Sequence, residues 1–245
     1  MSLDQKRARA FGVLYLITFV TSIPALLLYE TVLRHKVSYI SGAGHDKQVL
    51  LGALLELLLI IANIGTAVVI FPILRRQNEE LSLGYVGARV VECTFILVGI
   101  LCMVAVVSLR NHAVGAAGGG IAYTLSAIKD WTFLLGPGWV VGWGNGLILG
   151  YLMYRSGLVP QRWCWLGLIG GPLIIITGTA ILLGGNHPSS GLRSVQSIAT
   201  IPEFAWELFL GVYCTIWGFR RESPILGGSA SSRSKDVLVA SGSPA

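Results

Sequence analysis

Charge is scarce in this chain. Only 12% of its 245 residues are Asp, Glu, Lys or Arg, where a soluble globular domain carries about 25%, and that shortage excludes a surface wholly covered by water. Cysteine is scarce as well. Cys93, Cys102, Cys164 and Cys214 all fall within or at the ends of apolar runs, so no disulfide framework is expected. A Gly-rich phosphate loop, a His-Glu-x-x-His helix, a nucleophile elbow and a Cys pair at zinc spacing are all missing. No catalytic residue and no cofactor is therefore assigned. His35, His45, His112 and His187 fall in expected loops on one side of the bundle, with Asp46 beside one of them, but their spacing supports no metal site.

Long hydrophobic runs, by contrast, are plentiful. Hydrophobic residues make up 53% of the chain, and they gather in six blocks, at 11–29, 49–74, 83–109, 131–154, 163–184 and 201–219. Each is near the roughly 20 residues that cross a ~30 Å hydrocarbon layer. Backbone polar groups in lipid must be satisfied within the segment, so the expected fold is all-α, a polytopic transmembrane helix bundle of six spans. Residues 1–221 form its single domain, and 222–245, rich in Ser, Gly and Ala, are expected to be a disordered tail.

The net charge of +6 is informative through its placement. If the spans alternate, Lys6, Arg7, Arg9, Arg75, Arg76, Arg155, Arg162, Arg220, Arg221, Arg233 and Lys235 share one side. Arg34, Lys36, Lys47, Arg110, Lys129 and Arg193 are left for the other. The positive-inside rule then places both termini in the cytoplasm of a cell-membrane protein. The basic excess is accounted for by topology and implies no nucleic-acid partner.

Polar residues inside the runs are the candidate site. Arg89 is the only basic residue expected at membrane depth, where insertion scales charge about 2.5–3.5 kcal/mol for it. Glu92, three residues on, shares its helix face; Asn63 and the inner headgroups are other expected partners, and a bridge to Glu56 is not expected. An intramembrane pair points to function, with a clamp that fixes helix packing as the plain alternative. The polar residues sort into an outer layer of Glu56, Glu203 and Glu207 and an inner one of Asn63, Arg89, Glu92 and Asn145, all candidates for contact with a ligand or ion. Lys129 reaches the outer layer only from its edge.

Glycine and proline set further expectations. Gly136, Pro137 and Gly138 should break or delay the fourth span, and the mildly apolar piece before it, ending at Ile128, is expected to lie on the surface or dip in. Gly138, Gly142, Gly146 and Gly150 leave one side of that span bare, which allows close helix packing, and Gly167 with Gly171 offers a similar surface on the fifth. In the first span, a hydroxyl of Thr21 or Ser22 should meet the carbonyl freed by Pro24. Pro202 should open the sixth span.

Several stretches, LYLITFVTSIPALLLYE at 14–30, VLLGALLE at 49–56, ANIGTA at 62–67, PILRRQ at 72–77, GYVGARVVE at 84–92, and DWTFLLGPG and YLMYRSGLVP within 130–160, together resemble a bacterial membrane family known as domain-of-unknown-function family 4386. The resemblance implies a multi-pass integral membrane protein and brings no mechanism or site residues. Three functions fit the residues. The leading one is a protein that binds or moves a small solute or ion through the polar layers. The second is an enzyme embedded in the bilayer, acting on a lipid or isoprenoid with Glu56, Glu203 or Glu207 as general acid or base. The third is a non-catalytic partner protein, whose Gly142 and Gly146 would face outward to hold another helix.

Overall fold

The computed structural model describes residues 1–34, 39, 45–111, 115–184 and 190–226. Its elements are α1 (Leu3–Arg34), α2 (Asp46–Leu74), α3 (Glu79–Asn111), α4 (Gly115–Phe133), two π-helical stretches (Leu134–Val140 and Gly142–Leu149), α5 (Gly150–Ser156), α6 (Gln161–Leu183) and α7 (Ser190–Ile216). Among the described residues, five helices are long and apolar enough to cross a membrane: Leu3–Glu30, Asp46–Leu74, Glu79–Asn111, Gly118–Ser156 and Gln161–Leu183. α7 has 27 residues, but polar Ser190–Thr200 at its start and Glu203 and Glu207 further on dilute its apolar content.

Ionisable and amide side chains are gathered inside the bundle, among apolar ones, while apolar side chains cover its outside. Ile61, Val68, Leu101, Ile176 and Ile198 stand exposed on the bundle surface, whereas Glu56, Asn63, Arg89, Glu92, Lys129, Asn145 and Glu203 are buried. An apolar belt on this scale marks a surface that meets lipid. The largest buried apolar cluster, with Phe11, Tyr15, Ile70, Tyr85, Leu152 and Trp206, lies toward the end carrying the N-terminus and locks α1, α2, α3, α5 and α7 together there.

Four expectations are corrected. The segment before the fourth span neither lies on the surface nor dips in as a separate piece: from Gly115 to Ser156 the chain is one continuous helical rod. Gly136, Pro137 and Gly138 do not break it, because the rod widens there into π geometry, in which Val141 N–H donates to Gly136 O. That five-residue register relieves the ring clash and missing donor that Pro137 would impose on an α-helix. α7 begins at Ser190, so Pro202 sits well inside it. In α1 the helix runs through Pro24, and Thr21 Oγ1 donates to Ile17 O at 2.8 Å rather than to the carbonyl of Val20.

The tail also differs from expectation at its start. Ser223 is buried, its hydroxyl donating to Ser156 O at 2.7 Å, while Arg220 N–H donates to Leu158 O at 2.8 Å. The rest of the expected tail, 227–245, lies outside the described residues, as do His35, His112 and His187.

Candidate functional site

The glycine stripe explains how polar groups come together at the centre of the bundle. A Cβ on Gly142 would stand 2.7 Å from Gly171 O, and one on Gly146 would stand 2.5 Å from Gly171 Cα. The second π stretch and α6 are therefore in backbone contact, and Gly142 and Gly146 face a helix of their own chain. That contact removes the outward-facing surface on which the partner-protein reading depends.

Arg89 meets the partner that its spacing predicts. Its Nη1 donates to Glu92 Oε2 at 2.7 Å, and Asn63 Nδ2 on α2 donates to Glu92 Oε1 at 3.0 Å. Glu92 thus ties α3 to α2. Two tyrosines complete the enclosure: the guanidinium lies 5.2 Å from the ring of Tyr15 and 5.9 Å from that of Tyr85, and Nε donates to Tyr85 OH at 3.3 Å. A delocalised cation stacked on ring faces loses less on leaving water than a bare one.

Lys129 corrects the expectation that Arg89 is the only basic residue at depth. It is 3% exposed, and its Nζ lies 2.6 and 2.7 Å from the two oxygens of Glu56. Tyr29 OH donates to the same carboxylate at 3.0 Å, and the ammonium rests 4.9 Å from the Tyr29 ring. A Cβ on Gly99 of α3 would fall 2.8 Å from Lys129 Cδ, so the bare glycine is what lets the lysine stem pass. Sequence reasoning missed Tyr29, Tyr15, Tyr85 and the depth of Lys129. The available signal was Glu56 itself, a carboxylate in an apolar run that requires a cation.

The two-layer arrangement is also redrawn. Starting α7 at Ser190 carries Glu203 and Glu207 deeper than a start at Pro202 would. Glu207 accepts from Asn145 Nδ2, while Asn145 O accepts from Trp206 Nε1 at 3.1 Å. Glu207 also lies within electrostatic reach of Arg89. It therefore belongs with Asn63, Arg89, Glu92 and Asn145, and Glu56 with Lys129 forms the other level, seven residues or about 10 Å away along α2. Glu203 turns away into the α6 contact.

One cavity of about 750 Å³ joins the two levels, lined by Glu56, Lys129, Asn63, Arg89, Glu92 and Glu207 together with apolar Leu59, Ile96 and Val141. It extends to Gln196, Ser197 and Arg193 on the first turns of α7. Glu56, Glu203 and Glu207, the three carboxylates proposed as acid or base, do not converge: one is locked by Lys129 and Tyr29, one is outside the cavity, and one is held by Asn145.

A family model described as Domain of unknown function (DUF4386) matches residues 10–218. Neither a curated protein nor a solved structure matches the chain.

Proposed function

The chain belongs to the DUF4386 family, and from that premise we propose that it binds a small polar solute or ion inside its helix bundle and moves it between the ends of the bundle. The observation that carries this reading is the cavity, whose volume of about 750 Å³ falls in the range of small-molecule sites. Its walls combine paired charges with apolar surface, so a polar ligand could exchange hydrogen bonds with Asn63, Glu92 and Glu207 while leaving each cation with its ring. π-helical turns recur at functional sites; here the first of the two lends Leu134, Pro137 and Gly138 to the cavity wall beside α3. The proposed topology is six spans with both termini in the cytoplasm, α7 being the sixth and Arg193 lying at the outer mouth.

The test is a thermal-shift screen of the purified protein against ions, amino acids and other small polar metabolites. A ligand at a hundred times its Kd adds about 2.7 kcal/mol to the stability of the folded state. Ser197→Trp, placed at the mouth of the cavity on an exposed position, should keep the melting temperature and abolish the shift. A ligand shift of equal size in wild type and Ser197→Trp would overturn cavity binding.

A further inference from the structure

Glu203 and Asn145 are the two candidate residues that do not line the cavity. Glu203 is 2% exposed, and both of its carboxylate oxygens lack a hydrogen-bond partner. Its surroundings are closely packed: Oε2 lies 2.9 Å from where a Cβ of Gly146 would be and 3.0 Å from that of Gly170, and a Cβ on Gly170 would stand 2.6 Å from Glu203 N. A second orphan is next in sequence to Gly146. Asn145, fully buried, spends its Nδ2 on Glu207 and has no donor for its Oδ1.

The charged groups that face Glu203 are Glu207 on its own helix and Arg89 and Glu92 on α3. Arg89 is already committed to Glu92 at 2.7 Å. The α6 side presents Gly170 and the π stretch presents Gly146. No cation among the described residues answers Glu203. Two unpartnered carboxylate oxygens therefore stand beside a backbone contact too close for a metal ion with its shell of oxygens. What fits is a proton, which needs no room, cancels the charge and turns one acceptor into a donor.

We propose that Glu203 is a proton-binding site, coupled through Asn145 to Glu207 in the cavity wall. A protonated Glu203 supplies the donor that Asn145 Oδ1 lacks, and Asn145 in turn donates to Glu207, so the amide orients both carboxyls at once. Loss of the proton leaves a bare carboxylate against Gly146 and Gly170 and loosens the contact with α6 there. The proton goes to and from water by way of the cavity, where Glu207 lies one turn from Glu203. The site stands whether or not a solute occupies the cavity, so its test needs none.

The experiment is infrared absorption of the full-length protein in lipid vesicles from pH 5 to 9, read at the carbonyl stretch of a protonated carboxyl group. The expected result is a band that persists at pH 7, disappears in Glu203→Gln, survives in Glu207→Gln, and shifts in Asn145→Leu, where the acceptor is gone. Glu203→Gln should melt at or above the wild-type temperature, since its amide carries no charge and donates to Asn145 Oδ1. A band equal in wild type and Glu203→Gln overturns the proposal. So does a wild-type melting temperature that rises with sodium or potassium and loses that rise in Glu203→Gln, which would assign a cation instead. Should Glu203→Gln not fold, a band that survives in Glu207→Gln, Glu92→Gln and Asp130→Asn supports Glu203 as its source, and loss in any of the three overturns it.

Discussion

Both cations buried among the described residues are held by a carboxylate and an aromatic ring together. Lys129 has Glu56 and Tyr29; Arg89 has Glu92, Tyr15 and Tyr85. Removing one member of such a pair strands the other charge out of water, which costs about 3–5 kcal/mol, whereas removing both is often close to neutral. Lys129→Met should therefore be strongly destabilising, and Lys129→Met combined with Glu56→Gln should recover most of the loss. A double-mutant cycle on melting temperatures in detergent checks this. Additive losses would mean that the two side chains do not stabilise each other. At this scale the Arg89–Glu92 pair was legible because three-residue spacing on a helix dictates it. The Lys129–Glu56 pair was not, because it joins residues 73 apart through a segment whose depth its own short apolar run understates.

At the scale of elements, the sequence marks where the helices lie better than it marks their form. Apolar runs locate all six long segments, and turns such as 75–78 and 157–160 follow from charge, glycine and proline. The π stretches were hidden because no residue type encodes π geometry; Pro137 reads as a breaker only if the surrounding helix is assumed to be α. The extra length of α7 was hidden for the opposite reason, since Ser190–Thr200 is polar and helix propensity is a weak guide once tertiary packing intervenes.

Glycine substitutions separate packing from propensity. A Cβ on Gly171 would lie 2.5 Å from Gly142 O, while one on Gly87 in exposed α3 would meet nothing within 4 Å. Gly171→Ala should cost about 1–3 kcal/mol through overpacking, and Gly87→Ala should add about 0.5–1 kcal/mol by lowering backbone entropy in the unfolded chain. Opposite shifts in melting temperature are the expected outcome. Equal shifts would mean that the π stretch and α6 do not meet at Gly171.

For the whole molecule, the decisive property is whether water from one side reaches both polar levels. Ser197 at the mouth and Ser22 on α1 line the same cavity, and the four native cysteines are buried, so background labelling should be low. If both termini are cytoplasmic, as proposed, the first turns of α7 face outward, and Arg76 lies at the opposite end. An impermeant maleimide added to intact cells should then label Ser197→Cys fast and Ser22→Cys more slowly, and should reach Arg76→Cys only after permeabilisation. Adding Ser197→Trp to Ser22→Cys should slow the second reaction, because a bulky ring there narrows the path between them. If Ser22→Cys stayed unlabelled while Ser197→Cys reacted, water from that face would stop short of the level of Arg89 and Glu92, and the polar groups there would act as a clamp between helices instead of a route for solute. Labelling of Arg76→Cys in intact cells would reverse the topology, because the two ends of α2 and α3 cannot both face the same compartment.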